Sequence, residues 1–252
     1  MPKFFVEDNQ IIEDKITIVG QDVNHIANVL RFKENDEISI CNIDKNKNYD
    51  CLITKIEKEK IECKIFSEVK QSPEEKIDIT IFQGLPKADK MELIIQKCTE
   101  LVVKEITPTQ MERCVVKLDH KSEIKKIERW QKIAESAAKQ SGQNSICKIN
   151  NITNIKNICN FISNYDILLV PYENEKNNSF KKVVQNLKSV GNEQGLRIAI
   201  IIGPEGGFEK EEIELLKQYG GKIITLGPQI LRTETVAIAM VSCIKYEFNK
   251  LG

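Results

Sequence analysis

Glycine and proline recur at three points where the pattern of the chain predicts that a buried strand ends. The segments are 169–173 (Leu-Val-Pro-Tyr-Glu), 202–208 (Ile-Gly-Pro-Glu-Gly-Gly-Phe) and 226–228 (Leu-Gly-Pro). Glycine lets a backbone approach a ligand closely, and proline stiffens a loop and removes one donor. Ligands of open α/β sheets bind at the carboxyl ends of strands. The pattern therefore predicts a small-molecule site with stiff walls of backbone N–H and C=O groups, which suits recognition of an adenine edge.

Each of these segments, taken alone, also fits a tight turn between a strand and a helix. The order Gly-Pro-Glu-Gly-Gly at 203–207 is neither the dinucleotide-binding pattern G-x-G-x-x-G nor the phosphate-binding pattern G-x-x-x-x-G-K-[ST]. The residues thus give little support for a nicotinamide or ATP site. Their pattern leads no further than a small-molecule site near residues 170, 203 and 227.

The first seventy residues predict a small β-barrel. Apolar residues at helical spacing indicate one helix over 22–31. Short apolar segments between turn residues predict strands at 4–6, 16–18, 37–40, 49–56 and 61–66. Several short strands with one helix favour a barrel over residues 1–70. The polar segment 71–76, which contains a proline, is the predicted linker.

Residues 77–252 alternate between strand and helix patterns, which predicts a second domain of the α/β class. Strands are expected at 77–82, 104–107, 166–170, 197–202 and 222–226. Helices are expected at 91–102, 122–139, 180–187, 209–219 and 234–248. Such alternation is typical of a mostly parallel sheet. The unbroken apolar segment 198–202 fits a strand that is covered on both faces.

The composition indicates a soluble globular protein, for which we predict a cytoplasmic location and no membrane. Its apolar segments are too short to span a bilayer, and its first residues lack the long apolar run of a signal peptide. The net charge is zero, but it is unevenly spread. Residues 1–70 carry 11 Lys and Arg against 14 Asp and Glu, whereas residues 84–148 carry 13 against 9. A basic face for nucleic acid is therefore expected in the middle segment.

The eight cysteines do not follow a metal-binding pattern. No two are closer than ten residues along the chain, and only His25 and His120 could assist them. A structural zinc site usually contains cysteine pairs two to four residues apart. We therefore predict no metal and interpret the cysteines as free, buried thiols.

Six segments match one known family in the same order along the chain. They are 25–31 (His-Ile-Ala-Asn-Val-Leu-Arg), 85–97 (Leu-Pro-Lys-Ala-Asp-Lys-Met-Glu-Leu-Ile-Ile-Gln-Lys), 112–116 (Glu-Arg-Cys-Val-Val), 129–142 (Arg-Trp-Gln-Lys-Ile-Ala-Glu-Ser-Ala-Ala-Lys-Gln-Ser-Gly), 202–208, and 226–235 (Leu-Gly-Pro-Gln-Ile-Leu-Arg-Thr-Glu-Thr). In these segments the chain resembles the bacterial 16S rRNA uracil-1498 N3-methyltransferase family of the SPOUT superfamily. The resemblance covers essentially the whole chain.

The resemblance implies a fold and a function that the pattern of residues does not reach. Such proteins have an N-terminal PUA-like barrel that binds RNA and a C-terminal α/β domain with a trefoil knot, whose loops bind S-adenosyl-L-methionine. They act as homodimers and methylate N3 of uracil 1498 in 16S rRNA. The zero net charge favours an assembled small ribosomal subunit as substrate. Two readings stay open: a SPOUT methyltransferase acting on another RNA such as tRNA, and an inactive RNA-binding factor in ribosome assembly.

The same resemblance implies roles for the glycine-bearing loops and their neighbours. Arg232 is the first candidate for a catalytic role, with a structural ion pair or a cap for Glu234 as the alternative. Glu205 is the second, either as a cofactor contact or as a residue at the start of the following helix. The expected cofactor-binding residues are Leu169, Val170, Pro171, Ile202, Gly203, Pro204, Glu205, Gly206, Gly207, Leu226, Gly227, Pro228, Ile230, Leu231 and Thr233. Thr233 could instead cap the last helix.

Contacts to RNA are expected from both domains, with a solvated surface as the alternative reading. The candidates are Arg31, Lys87, Lys90, Arg113, Lys139, Gln140 and Ser141. The chain departs from the family pattern at four positions. Gln143 and Gln229 stand where arginine is frequent, Val102 replaces a usual glycine, and Val236 replaces a usual alanine. The two glutamines lack the positive charge of arginine, which affects the expected contacts to RNA phosphates. The glycine-bearing loops are unchanged.

Overall fold

The computed structural model describes residues 3–45, 47–69, 77–187 and 195–251. Its backbone contacts divide the chain into two compact units. The first consists of Met1–Pro73 with Ala138–Ile146, and the second of Glu74–Ala137 with Cys147–Gly252. The predicted linker at 71–76 lies outside the described residues. The domain boundaries proposed from the sequence, 1–70 and 77–252, stay a prediction.

The first unit contains a curled six-stranded sheet in the order β1-β4-β5-β6-β3-β2. The strands are β1 (Lys3–Val6), β2 (Ile11–Ile12), β3 (Lys15–Val19), β4 (Glu37–Asn42), β5 (Lys47–Ile56) and β6 (Lys60–Val69). The pair β1 and β4 is parallel, and the other pairs are antiparallel. Alternate residues such as Ile16 and Ile18 face one apolar core, as period-two patterning requires. The strands predicted in this region are confirmed.

The predicted helix over 22–31 is found in a modified form. Helix α1 (Gln21–Asn24) continues directly into a wider π-helical turn over His25–Val29. Val23 and Ile26 are buried in the core of the first unit, and they anchor the two parts. The helix ends at Leu30, and Arg31 follows with a left-handed backbone, φ +58°.

The second unit contains a seven-stranded sheet in which every strand pair among the described residues is parallel. The strands are β7 (Ile77–Gly84), β8 (Glu105–Gln110), β9 (Lys148–Ile149), β10 (Thr153–Asn154), β11 (Ile167–Pro171), β12 (Leu196–Ile202) and β13 (Lys222–Ile224). The order is β10-β8-β7-β12-β11-β13, and β9 also pairs with β8. The α/β class and the parallel sheet are thus confirmed.

Six α-helices accompany this sheet in the described part of the chain. They are α2 (Lys90–Glu100), α3 (His120–Gln140), α4 (Ile155–Cys159), α5 (Phe180–Leu187), α6 (Lys210–Gln218) and α7 (Thr233–Glu247). All except α4 were expected from apolar spacing. The sequence pattern also missed β2, β9 and β10, because strands of two residues and a helix of five are too short to display a period.

The order of the strands creates a switch point in the middle of the sheet. After β7 the chain continues to its neighbour β8 on one side, and it later returns to place β12 and β11 on the other side. Ligands of open parallel sheets bind outside the carboxyl ends of strands at such a point. The topology therefore directs attention to the segments that follow β7, β11 and β12.

Helix α2 ends with a strained residue. The backbone N–H of Val103 donates to Cys98 O (3.0 Å) and that of Val102 donates to Thr99 O (2.9 Å), which is the bonding pattern of a Schellman motif. This motif places Val102 in the left-handed region, with φ +59°. A β-branched residue in that conformation is a genuine outlier. The glycine that the family pattern carries at this position would adopt it freely.

Replacing Val102 by glycine is expected to raise the free energy of unfolding by about 1 kcal/mol, because the Cβ clash of the left-handed conformation disappears. Urea unfolding followed by circular dichroism measures the change. The matched control is Val115→Gly. Val115 is exposed and has no positive φ, so glycine there only increases the freedom of the unfolded chain and lowers stability. A Val102→Gly protein less stable than the wild type would contradict the strain argument.

Candidate functional site

The segments that follow β11, β12 and β13 enclose a cavity of about 530 Å³. Its walls consist of residues 171–173, 202–208 and 225–233, together with Lys90 from α2 and Val236 from α7. The volume lies in the usual range for small-molecule sites, roughly 300 to 1,000 Å³. The cavity lies where the parallel sheet and its switch point place a ligand site.

Most of the expected cofactor-binding residues line this cavity. These residues are Pro171, Ile202, Gly203, Pro204, Glu205, Gly206, Gly207, Leu226, Gly227, Pro228, Ile230, Leu231 and Thr233. Leu169 and Val170 do not line it, because they lie fully buried inside β11. The cavity also brings in Tyr172, Glu173, Phe208, Thr225, Gln229 and Val236. All of these except Val236 lie within or next to the three segments rich in glycine and proline. Those segments were the sequence signal that could have identified them.

The end of β7 holds the turn after β12 by direct backbone contact. A Cβ placed on Gly84 would lie 2.6 Å from the nitrogen of Pro204 and 3.0 Å from the carbonyl carbon of Gly203. Real Cβ atoms are not found so close to backbone atoms, so only glycine fits at Gly84. Since β7 and β12 are paired through Gln83 and Ile202, this contact continues the sheet directly into the cavity wall.

The glycines of the second segment leave little room for side chains within the turn. A Cβ on Gly203 would lie 3.1 Å from the ring of Phe208, and one on Gly206 would lie 2.9 Å from Cβ of Arg113. Gly207 has φ +70°, and a Cβ there would meet the Glu173 carboxylate at 2.9 Å. All three glycines line the cavity without side chains, so they present only backbone atoms to it.

A buried chain of hydrogen bonds joins β7, the glycine turn and α7. Gln83 Nε2 donates to Thr233 Oγ1 (2.8 Å) and to Gly84 O (3.0 Å), and Thr233 Oγ1 donates to Gly203 O (2.7 Å). A hydroxyl carries one proton, so these bonds fix the orientation of the Gln83 amide. Thr233 is therefore a bridge and not a cap, and residue Arg232 holds the N-cap position without a capping side-chain bond.

Glu205 is held by two partners from the beginning of α2. Its Oε1 lies 2.9 Å from Lys90 Nζ and accepts the backbone N–H of Lys87 at 3.1 Å. Burial acts to raise the pKa of Glu205, but hydrogen bonds from Lys90 and from the backbone outweigh burial, and the pKa lies below its usual value. Glu205 is thus a carboxylate at neutral pH. It does not cap α6, because Glu209 occupies that N-cap position.

Arg113 braces the outside of the glycine turn. Its Nε and Nη2 donate to the two carboxylate oxygens of Glu209 at 2.7 and 3.1 Å, and Nη1 donates to Gly206 O at 3.0 Å. The hydrogen bond to Glu209 raises the pKa of Arg113 further. Two of the proposed RNA contacts, Lys90 and Arg113, therefore already have partners in this structure.

Arg232 lies at the cavity with its side chain exposed. Within the described ranges, its guanidinium has no ion pair or hydrogen bond. The alternative reading, a structural ion pair, is not observed there. An arginine cannot lose its charge at physiological pH, so a cation stands at the cavity wall ready for an anionic or carbonyl group.

None of the other proposed RNA contacts is among the residues that line the cavity. Arg31, Lys87, Gln140 and Ser141 are exposed. Lys139 is half-buried and pairs with Asp22 of α1, with its Nζ 2.6 Å from Oδ1 and 2.9 Å from Oδ2. Residues 138–146 belong to the first unit. The RNA-binding roles of these residues stay predictions.

The cysteines are all free thiols. Seven are buried, and burial raises the pKa of each of them. Cys243 is exposed, which corrects the expectation that every thiol is buried. The described residues contain no cluster of three or more His, Cys, Asp or Glu arranged to hold a metal ion. In the same part of the chain, every helix is too short or too polar to cross a membrane.

Comparison with known proteins identifies the family. The RNA methyltransferase domain family matches residues 73–245, and the RNA methyltransferase PUA domain family matches residues 18–66. The chain belongs to the RNA methyltransferase family. Its first unit accordingly contains a PUA domain, as the resemblance implied.

Several relatives of known name share the name ribosomal RNA small subunit methyltransferase E. The ribosomal RNA small subunit methyltransferase E of Bacillus subtilis is 37% identical, and the alignment covers 100% of this chain and 98% of the relative. The protein of that name in Mesomycoplasma hyopneumoniae is 33% identical over 97% of this chain and 100% of its own length. A crystal structure of the Neisseria gonorrhoeae protein of that name, bound to S-adenosyl methionine, superposes with a TM-score of 0.84. It is 28% identical, and the match covers 98% of this chain and 97% of that one.

Replacing Thr233 by valine is expected to lower the free energy of unfolding by about 1–3 kcal/mol. The change removes the hydroxyl between Gln83 and Gly203, so the buried Gln83 amide loses one of its two hydrogen bonds and the Gly203 carbonyl loses its bond to Thr233. Urea unfolding measures the loss. Thr233→Ser is the matched control, since it retains the hydroxyl. If the valine variant proved as stable as the serine variant, the hydrogen-bond chain would not be important for stability.

Proposed function

We propose that this protein is an S-adenosyl-L-methionine-dependent methyltransferase that acts on N3 of uracil 1498 in 16S rRNA, in the assembled small ribosomal subunit. The observation that carries the proposal is the cavity of backbone-walled loops at the switch point of the sheet, in a chain of the RNA methyltransferase family. The names of the relatives support rRNA of the small subunit as substrate. The target base and its position rest on the resemblance alone.

The cavity suits this cofactor in size and in chemistry. Its volume of about 530 Å³ is adequate for a nucleoside with an amino-acid tail. Glycines 203, 206 and 207 leave peptide N–H and C=O groups free of side chains, as hydrogen bonding to an adenine edge requires. We propose that the loops at 171–173, 202–208 and 226–233 hold the cofactor, and that they form the trefoil knot expected of the SPOUT superfamily.

The chain's own residues would bind and orient the uracil. The bound cofactor would supply an electrophilic methyl group and leave as a thioether, and N3 would lose its proton to a base or to solvent water as it attacks. N3 lies in the Watson–Crick edge, so the target base must be unpaired or turned out of its stack. We assign to Arg232 the stabilisation of the negative charge that develops on the uracil oxygens. The low pKa of Glu205 makes it a weak proton acceptor, so its proposed role is to shape and charge the cofactor site.

RNA binding would involve both units. Arg31 projects from the PUA-containing unit and is exposed, and Lys87 and Gln140 offer further polar contacts in the two units. The net charge of zero favours a substrate in which shape adds to charge, such as an assembled subunit. We also propose a cytoplasmic homodimer. Exposed apolar side chains such as Ile230 and Tyr246 are compatible with a protein partner.

The reaction is tested by incubating the protein with labelled S-adenosyl-L-methionine and small ribosomal subunits from cells that lack the modification. We expect label at N3 of uracil 1498, found by nuclease digestion and mass spectrometry. Naked 16S rRNA should accept much less label than the subunit. Label in tRNA alone would favour another RNA as substrate. Absence of both cofactor binding and label would favour an inactive assembly factor.

Replacing Arg232 by alanine is expected to lower kcat about 100-fold, the usual loss when one charge-stabilising donor is removed. The dissociation constant of the cofactor, measured by calorimetry, should stay within about twofold. The matched control is Arg197→Ala, since Arg197 pairs with Asp166 at the opposite, amino end of β12. An Arg232→Ala protein with normal kcat would remove the catalytic assignment.

A further inference from the structure

Lys90 contacts both the turn after β12 and the beginning of α7. Its Nζ lies 2.9 Å from Oε1 of Glu205, in the turn after β12, and 3.4 Å from Oε2 of Glu234, in the first turn of α7. The side chains of Lys90 and Glu234 are largely buried, with 29% and 13% of their surface exposed. One cation therefore contacts carboxylates from two different segments.

The position of Lys90 does not serve the helix that carries it. Lys90 is the first residue of α2, where the positive end of the helix dipole disfavours a cation. Its placement is explained by the two carboxylates. Glu234 Oε2 in particular is buried without a hydrogen-bond partner among the described residues, so the charge of Lys90 is what compensates it there.

We propose that Lys90 is a positioning residue that holds the 202–208 loop and the beginning of α7 together, and thereby keeps the cofactor cavity in its binding shape. Without the cation, two partly buried carboxylates would repel each other and separate the two walls. The inference rests on the proposed function, because the ligand concerned is S-adenosyl-L-methionine. The RNA contact expected of Lys90 stays a separate prediction.

Few other charged groups face this cluster. From the loop before α2, the backbone N–H of Lys87 donates to Glu205. From the segment after β8, the Cys114 thiol lies near enough for Glu205 and Glu212 to raise its pKa, after burial, which is the larger cause. Arg232 and Glu173 line other parts of the cavity wall. Within the described residues, Lys90 is the cation that pairs with both carboxylates.

The test is Lys90→Met, compared with wild type from pH 6 to pH 8.5. Two carboxylates that lose their shared cation repel each other most strongly when both are charged, so the effect of the variant should grow as the pH rises. We expect the ratio of variant to wild-type dissociation constants for S-adenosyl-L-methionine to rise about tenfold over this range. Using the ratio cancels the cofactor's own titration. The melting temperature of Lys90→Met, measured without cofactor, should fall further below that of the wild type as the pH rises.

Three further variants make the test specific. Lys90→Arg retains the charge and should behave as wild type. Lys90→Met/Glu234→Gln removes one carboxylate as well, and should lose the pH dependence and recover most of the affinity. Lys97→Met is the control for a lost lysine, because Lys97 lies on the same helix and pairs locally with Glu100. For this variant, neither the ratio of dissociation constants nor the difference in melting temperature should change with pH.

A pH-independent effect of Lys90→Met, or a double variant as weak as Lys90→Met, would overturn the proposal, since a merely structural lysine predicts both. If the wild-type protein bound no S-adenosyl-L-methionine, the proposed function would be wrong. In that case the melting temperatures would still decide whether Lys90 balances the two carboxylates, so the two failures are distinguishable.

Discussion

The contact between Gly84 and the peptide of Gly203 and Pro204 is the constraint on which the site depends. Two backbones meet there with no room for a single Cβ. Such close approach needs paired strands beneath it, and β7 and β12 supply them along their whole common length. The turn after β12 is thus an extension of the sheet, and its peptide groups face the cavity in a fixed arrangement.

Polar groups then hold the parts that the sheet does not reach. The Gln83 amide and the Thr233 hydroxyl connect the start of α7 to Gly203, and Lys90 connects the same helix to Glu205. A buried network of hydrogen bonds destabilises the fold when its groups lack partners, and it fixes one arrangement when they have them. They explain how a wall made of short loops, with glycine at several positions, can keep one shape for a ligand.

Much of the fold and of the site was predictable, and the failures have physical causes. Apolar period two or period 3.6 predicted the described strands of three or more residues in both sheets and the described helices longer than five residues, whereas β2, β9, β10 and α4 were too short to show a period. The glycine-bearing segments predicted the cavity walls because glycine and proline have local conformational meaning. Val102 shows the opposite case, since its left-handed backbone comes from the end of α2 and not from its own preference.

By itself, the sequence determined which segments form strands and helices, where the rigid turns lie, and which family the chain resembles, because propensity, spacing and motif order are properties of the chain. Only the tertiary structure decided which side chains meet. It placed Lys90 beside two carboxylates instead of on a free surface, and it paired Arg113 with Glu209. Arg232, at the cavity, has no partner among the described residues. Charged side chains are long, and their partners lie far apart in the chain. The order of the strands and the contacts between backbones therefore decide whether a charged residue binds a ligand, stabilises a loop or takes part in catalysis.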